Sequence, residues 1–167
     1  MSTTPFPGLE PAIHTIRIFC DGGSRGNPGP AGVGAVVLDA SAEPPRLLAS
    51  VSETIGIATN NVAEYNGLLA ALRWAVDHGH ASVRVKADSE LLVKQMRGEY
   101  KVKNPGLQPL VAEARRLVSR LGRVTFEHVR REHNKDADRL SNVGMDEAEE
   151  ALRNPPPPSL PGQGELF

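Results

Sequence analysis

Residues 61–87 read NVAEYNGLLAALRWAVDHGHASVRVKA, and the period of the apolar residues changes within this one stretch. Gly79 ends a first part with helical spacing, at the place where a helix C-terminus is expected. Residues 83–87 then alternate apolar and charged side chains, as a half-buried strand does. A helix that leads directly into a strand indicates the α/β class. The apolar residues that recur at helical spacing are Val62, Tyr65, Leu68, Leu69, Leu72, Ala75 and Val76.

The residues before this helix predict three strands joined by short turns. Residues 13–20, 32–38 and 47–55 are rich in apolar and β-branched side chains. Glycine and proline punctuate the connections between them. Because short connections favour antiparallel neighbours, a meander is the simplest arrangement.

The residues after residue 87 alternate between predicted helices and one further strand. A short helix is expected over 90–96, a longer helix over 107–121, a fifth strand over 124–129 and a last helix over 135–152. Strands separated by helices form right-handed parallel crossovers. The sequence therefore predicts an α/β fold with a mixed five-stranded sheet, three antiparallel strands followed by two parallel ones, flanked by helices.

Length and composition are those of one soluble globular domain. The chain has 167 residues, 40% hydrophobic and 23% charged, and a formal net charge of −1. Its single cysteine, Cys20, cannot form a disulfide within the chain, which fits a reducing cytoplasm. No signal-peptide pattern and no apolar run of roughly 18 residues is visible. We expect a cytoplasmic monomer that does not bind membranes.

The composition also divides the chain into three segments. Residues 1–12 are rich in Pro, Thr and Gly and are expected to be a disordered lead-in. Residues 13–152 form the predicted catalytic domain. Residues 153–167 contain four consecutive prolines, which favour an extended, flexible tail.

Four acidic residues are placed together by the predicted elements. Asp21 ends the first strand and Asp88 ends the fourth, so the two carboxylates emerge side by side if these strands are neighbours. Glu64 and Asp138 lie in the first turns of their helices. Four converging carboxylates repel one another unless divalent cations neutralise them. Oxygen-only ligands suit magnesium or manganese.

Each acidic residue also has a purely structural interpretation. Asp21 opens a glycine-rich turn, where Asp is common. Glu64 could reach back to a helix start at Asn61 as part of a capping box. The pair formed by Asp88 and Ser89 could cap the short helix, and Asp138 could favour the dipole of the last helix. Local spacing alone leaves both interpretations open.

Taken together, four segments resemble the motifs of the type 1 ribonuclease H family. They are 21–32 (DGGSRGNPGPAG), 59–64 (TNNVAE), 87–89 (ADS) and 134–140 (NKDADRL). The resemblance covers roughly residues 13–148. It implies a ribonuclease H-like fold and an endonuclease that cuts the RNA strand of RNA/DNA hybrids by a two-metal-ion route, leaving 5′-phosphate and 3′-hydroxyl ends. The implied ligands of two Mg²⁺ ions, with Mn²⁺ as a substitute, are Asp21, Glu64, Asp88 and Asp138.

The same resemblance implies contacts with the hybrid. Sugar 2′-hydroxyls, base edges and phosphates are the groups contacted, and the 2′-hydroxyl is what distinguishes RNA from DNA. The residues expected to make these contacts are Gly22, Asn27, Thr59, Asn60, Ser89, Gln95, Lys101 and Asn134.

Three features depart from many members of that family. Many members of the family have a histidine that assists turnover, and His133 is the candidate counterpart here. A structural role for His133 is the alternative, in which case Arg130 or Arg131 could act near the scissile phosphate instead. A long basic segment with tryptophans is absent; Lys94, Arg97, Lys101 and Lys103 remain there, which predicts weaker hybrid binding. Ile57 stands where some members have an arginine. In these features the chain resembles the compact, archaeal-like branch of the family. Double-stranded RNA is a further candidate substrate in that branch.

The tail contains a segment, 163–167, that resembles the Gln-x-x-Leu-Phe peptides that bind the bacterial sliding clamp. Leu166 and Phe167 would fill an apolar pocket and Gln163 would hydrogen-bond at its rim. An ordinary tail with two apolar residues is the alternative. Clamp binding would tether the enzyme near newly made DNA, in keeping with a role in DNA replication and repair.

Two other functions share the same features. A branched-DNA resolvase-like nuclease could use the same acidic site, and a non-catalytic module could bind hybrids without cutting them. The retention of all four acidic residues argues against a binding module, since binding alone does not require so costly a cluster of like charges.

Overall fold

The computed structural model describes residues 15–155 and residue 157. Its elements follow one another in the order strand, strand, strand, helix, strand, helix, helix, strand, helix, with a short 3₁₀ turn, Arg131–His133, before the last helix. The bounds are β1 Ile16–Ser24, β2 Gly29–Asp39, β3 Arg46–Ala58, α1 Asn60–Asp77, β4 Ser82–Ala87, α2 Glu90–Met96, α3 Gln108–Arg120, β5 Arg123–His128 and α4 Lys135–Arg153.

The sheet has the topology that the sequence predicts. Its strand order is β3-β2-β1-β4-β5. The pairs β1–β2 and β2–β3 are antiparallel, whereas β1–β4 and β4–β5 are parallel. The prediction of a mixed five-stranded sheet with flanking helices is therefore confirmed, and β1 and β4 are neighbours at its centre.

The first three strands are longer than predicted. β1 continues through Gly22, Gly23 and Ser24, which were expected to form a turn, because these residues still pair with Val33, Gly32 and Ala31 of β2. The expectation that Asp21 ends the first strand is therefore wrong, although its parallel pairing with β4 does end one residue earlier, at Cys20↔Ala87.

One face of the sheet carries the main hydrophobic core. Alternate residues of the central strands pack against α1, α2 and α3, as period-2 side chains on a strand require. Cys20 belongs to this core as a small buried residue, and burial raises the pKa of its thiol. The largest side chains that are almost completely buried include Tyr65, Ile16, Ile18, Leu68, Leu69, Leu72 and Leu92.

The other face of the sheet is covered in part by α4. This helix approaches β2 closely because glycines replace side chains at the contact: a Cβ on Gly34 would lie 2.2 Å from the Ala137 carbonyl oxygen. Likewise, a Cβ on Gly144 would lie 2.2 Å from the Glu53 carbonyl oxygen of β3. These contacts fix α4, and with it Asp138, over the sheet.

Two further features correct or support the sequence interpretation. The N-cap of α1 is Thr59, whose hydroxyl accepts from the Val62 N–H at 3.2 Å, so the capping box that begins at Asn61 does not form. Trp74 stacks on His78 with ring centroids 4.0 Å apart at the edge of the core. Within residues 15–155, no helix is long and apolar enough to cross a membrane.

Candidate active site

A single cavity contains all four predicted acidic residues. It has a volume of about 370 Å³ and opens where β1 and β4 lie side by side. β1 supplies Asp21, the residue after β4 is Asp88, α1 supplies Glu64 and α4 supplies Asp138. The structure thus brings together residues that are up to 117 positions apart in the chain.

Asp21 is the most strongly perturbed of these groups. Burial, followed by the negative charge of Asp88, raises the pKa of Asp21 from 3.8 to about 8. The protonated form also donates a hydrogen bond to Asp138, which raises the pKa further, whereas the Gly22 N–H, at 2.8 Å from Oδ1, opposes the rise. The cavity therefore resists a negative charge on Asp21 unless a positive charge compensates it.

Glu64 is affected in the same direction. Burial is the main cause of its raised pKa, and the charge of Asp88 adds to it. The Ser89 hydroxyl, which donates to Glu64, and the positive charge of Arg131 both lower the pKa in part. Ser89 also caps α2 by accepting from the Leu92 N–H at 3.2 Å, as one of the structural interpretations predicted.

The donor set fits hard divalent cations. Its acidic residues offer only oxygen ligands, which Mg²⁺ and Mn²⁺ prefer. Burial and mutual repulsion raise the pKa of Asp21 and Glu64, and a cation would relieve both effects. The side chains line the walls of the cavity rather than its centre: among residues 15–155, no three carboxylate, imidazole or thiol groups converge closely enough to hold an ion as they stand.

Asn134 connects the two central strands at the cavity. Its side-chain amide donates to the Cys20 carbonyl oxygen at 3.1 Å and to Asp88 Oδ2 at 3.2 Å. Only 1% of Asn134 is exposed, and its contact with nucleic acid stays a prediction. In the structure it holds the Asp88 carboxylate and the start of α4 against β1 at Cys20.

Asn27 and Asn60 form one network with Ser24 beside the cavity, whereas Thr59 serves as the N-cap of α1. Asn60 Oδ1 accepts from the Ser24 backbone N–H at 2.9 Å and from the Ser24 hydroxyl at 3.2 Å. Asn27 Oδ1 accepts from the Asn60 backbone N–H at 3.1 Å. Asn27 is exposed and Asn60 lines the cavity. The two side-chain oxygens are thus used within the protein, and each amide nitrogen remains as a donor.

Three other predicted contact residues lie elsewhere or serve packing. Gln95 is only 5% exposed and its amide oxygen accepts from the Tyr65 hydroxyl at 2.6 Å, so the core uses this oxygen, and the substrate contact stays a prediction. Gly22 lines the cavity, but it lacks a side chain because a Cβ would lie 2.0 Å from the Ala63 carbonyl oxygen of α1. Lys101 is exposed on the loop after α2 and does not line the cavity.

Of the three auxiliary candidates, only Arg131 faces the acidic residues. It lines the cavity, and its charge acts on Glu64. His133 lies on the other side of Asn134, in an apolar groove beside Phe19. Arg130 is exposed and lies 3.9 Å from Glu132.

The sequence interpretation missed Arg25, which also lines the cavity. Its guanidinium binds two acidic residues of α4, Asp146 at 2.5 Å and Glu149 at 3.2 Å, and so ties the turn after β1 to that helix. Arg25 lies within the first motif, 21–32, but its α4 partners are more than 120 positions away, and no local pattern identifies them. The predicted tail residues Gln163, Leu166 and Phe167 lie outside the described residues.

Comparison with known proteins gives the same family for sequence and structure. A family model described as reverse transcriptase-like matches residues 19–144. The bifunctional protein Rv2228c of Mycobacterium tuberculosis is 50% identical over 133 residues, which are 80% of this chain and 36% of that protein. The chain thus spans about a third of the length of the first curated relatives. Ribonuclease HI of Halobacterium salinarum is 39% identical over 133 residues, 80% of this chain and 65% of that protein.

Solved structures agree in fold and in family. The N-terminal RNase H domain of Rv2228c superposes with a TM-score of 0.79 at 48% identity, covering 83% of this chain and 99% of that one. RNase H1 of the archaeon Halobacterium salinarum gives 0.75 at 38% identity, with coverage of 80% and 98%. LC11-RNase H1, solved in complex with an RNA/DNA hybrid, gives 0.74 at 42% identity, with coverage of 80% and 99%. The chain therefore belongs to the ribonuclease H family.

Proposed function

We propose that this chain is an endoribonuclease that hydrolyses the RNA strand of RNA/DNA hybrids. The observation that carries the proposal is the convergence of Asp21, Glu64, Asp88 and Asp138 in one cavity of a ribonuclease H fold. A relative with 42% identity was solved in complex with an RNA/DNA hybrid, which supports the same substrate class here.

The four carboxylates would hold the metal ions of the reaction. Two bound divalent cations, Mg²⁺ or Mn²⁺, would supply an activated water and neutralise charge at the departing 3′-oxygen, leaving 5′-phosphate and 3′-hydroxyl ends. Asn134 fixes the orientation of Asp88 through its amide, and Ser89 does the same for Glu64. Arg131, next to Glu64, is positioned to attract the scissile phosphate.

Recognition of the RNA strand would come from the network beside the cavity. The side-chain oxygens of Asn27 and Asn60 accept hydrogen bonds from the protein, so their amide N–H groups are free to donate to 2′-hydroxyl or base oxygens. A 2′-hydroxyl accepts as well as donates, and it is absent from DNA. These contacts would therefore select the RNA strand.

The direct test is cleavage of an end-labelled hybrid with and without Mg²⁺ or Mn²⁺. We expect metal-dependent cutting of the RNA strand to 5′-phosphate products, and a loss of at least ~100-fold in Asp88→Asn. Asp136→Asn is the matched control, because Asp136 is an exposed acidic residue of α4 outside the cavity. Folded protein that cuts no hybrid with either metal would refute the proposal.

Parallel substrates separate the alternatives. Cutting of double-stranded RNA as well as hybrid would extend the substrate range to that duplex. Cutting of a branched DNA junction but not of hybrid would favour the resolvase-like nuclease. Tight hybrid binding without cutting, in the presence of metal, would favour the non-catalytic module.

The cellular setting follows from the same proposal. An enzyme of this kind in the cytoplasm would remove RNA primers and hybrids during DNA replication and repair. The peptide 163–167 would tether it to a sliding clamp, with Leu166 and Phe167 in an apolar pocket and Gln163 at the rim. The catalytic domain would act as a monomer, since one chain supplies all four acidic residues.

A further inference from the structure

The sheet face that carries Asp21 and Asp88 continues away from the cavity as a basic surface. Side chains alternate along a strand, so Arg17 shares the face of Asp21 on β1, and Arg84 and Lys86 share the face of Asp88 on β4. On β5, Arg123 pairs with Ser82 and lies on this face too. We call Arg17, Arg84, Lys86 and Arg123 the basic face.

Three positive charges of the basic face form no ion pair, although the charge of Glu127 also acts on Arg17. Lys86 forms an ion pair with Glu127. Among the described residues, no acidic side chain lies within ion-pair distance of Arg17, Arg84 or Arg123. This is an unusual concentration of positive charge in a chain whose formal net charge is −1. Such a surface attracts polyanions.

The positions of Arg17 and Arg84 also indicate a surface that binds anions. The two residues are directly opposite each other in the parallel register of β1 and β4, where like charges destabilise the pair. Arg17 Nε is buried and has no hydrogen-bond acceptor within the described part of the chain. An anion bound between the two strands would relieve the repulsion and could also supply an acceptor.

A cavity of about 210 Å³ is lined by Arg84 and Arg123 of the basic face and by the hydroxyl donors Thr15, Ser82 and Thr125. Arg84 and Arg123 are exposed at its mouth, so their guanidinium groups can reach a ligand. The hydroxyls of Thr15 and Ser82, 3.0 Å apart, share one hydrogen bond, and the second hydroxyl proton of that pair remains to be donated. Guanidinium and hydroxyl donors together are typical of phosphate recognition.

We propose that the basic face binds phosphodiester groups of a nucleic-acid strand that extends beyond the segment held at the carboxylates. This inference rests on the proposed function. Arg17 and Arg84 lie four residues from Asp21 and Asp88, a separation of about 13 Å at ~3.3 Å per residue. A duplex has a phosphate on each strand every ~3.4 Å of its axis, so about four base steps separate the basic face from the cleavage point.

The test is a double variant, Arg84→Gln/Arg123→Gln, which changes two exposed side chains outside the catalytic cavity. Two hybrids with the cleavable step at their centre are compared over a range of salt concentrations: one of about 20 base pairs, and one of about six, which continues only ~3 base pairs to either side and so does not reach the basic face from the cleavage point. We expect the KM for the long hybrid to rise about tenfold with kcat unchanged. The slope of log KM against log salt concentration should decrease by an amount equivalent to about two phosphate contacts. The short hybrid should show neither change.

The matched control is Arg73→Gln/Arg120→Gln, which removes two arginines from α1 and α3 on the other side of the sheet. It has the same net charge as the test variant and should behave as wild type. Equal increases in the KM for the long hybrid in both double variants would mean that the effect comes from the net charge of the protein alone, and would overturn the inference. An unchanged KM for the long hybrid in the test variant would also overturn it, while leaving the proposed function intact.

A second measurement keeps the two proposals separate. Backbone amide NMR shifts are followed without divalent metal while a short single-stranded oligonucleotide or inorganic phosphate is added. Shifts at Arg84, Arg123 and Thr125 with the oligonucleotide support the site even if no hybrid is cut, in which case only the proposed function fails. Shifts with inorganic phosphate alone, or none at these residues, would overturn the inference.

Discussion

Replacing Asp21 with asparagine should make the metal-free protein more stable at neutral pH. Burial and the charge of Asp88 raise the pKa of Asp21 from 3.8 to about 8 in the folded state. As pH rises above 4, the unfolded chain therefore releases a proton that the folded chain retains, and the free energy of unfolding decreases. The asparagine of the variant would carry no charge at any pH, and its side-chain oxygen could still accept from the Gly22 N–H, now 2.8 Å from Asp21 Oδ1.

The magnitude follows from the size of the shift. At 1.36 kcal/mol per pKa unit, the wild-type protein loses up to about 4 kcal/mol between pH 3.8 and pH 7. The cavity is open to water, which screens the charges, so we expect about 1–2 kcal/mol in practice. A gain of this size raises the melting temperature by about 3–8 °C in a domain of this length.

The assay is urea unfolding of wild type and Asp21→Asn from pH 4 to pH 8 with a metal chelator. The stability difference should be close to zero at pH 4 and increase steadily toward pH 8. Addition of Mg²⁺ should stabilise wild type more than the variant, because the variant has lost one carboxylate ligand. Asp136→Asn, which removes a charge outside the cavity, should not reproduce the gain. A variant that is no more stable than wild type at pH 7, or a difference that does not change with pH, would refute this electrostatic account.

Three further predictions concern the supports of the site and the tail. Asn134→Ala should lower the free energy of unfolding in urea by about 1–3 kcal/mol and should also lower kcat, because Asp88 loses its amide donor. An unchanged kcat would mean that this donor does not position the carboxylate. Gly144→Ala should lower the free energy of unfolding by about 1–3 kcal/mol or more, since the new Cβ would lie 2.2 Å from the Glu53 carbonyl oxygen. Calorimetry would check this against Gly106→Ala, where the nearest atom to the new Cβ is 3.3 Å away. Deletion of 163–167 should abolish binding to a sliding clamp in surface plasmon resonance with hybrid cleavage intact; unchanged clamp binding would contradict the tail hypothesis.

The sequence by itself determined the elements and their order. Hydrophobic period separates the helix α1 from the strand β4, and Gly79 marks the boundary between them, because these signals depend on neighbouring residues alone. Short connections and crossover handedness then favour three antiparallel strands followed by two parallel ones, whereas the position of β4 next to β1 is known only from the structure. The four acidic residues were selected by the resemblance of their segments to ribonuclease H motifs, since local spacing left a structural interpretation open for each of them.

Only the tertiary structure decided which side chains are available for chemistry. The sequence assigns Asn134 and Gln95 to the substrate, but strand register and helix packing bury both, one against Asp88 and the other against Tyr65. In the same way, packing places Arg131 in the cavity and His133 outside it, two residues further along the chain. The burial, charge and hydrogen bonding of a site depend on residues that are far apart in the chain. They are therefore set only when the sheet and α4 pack together.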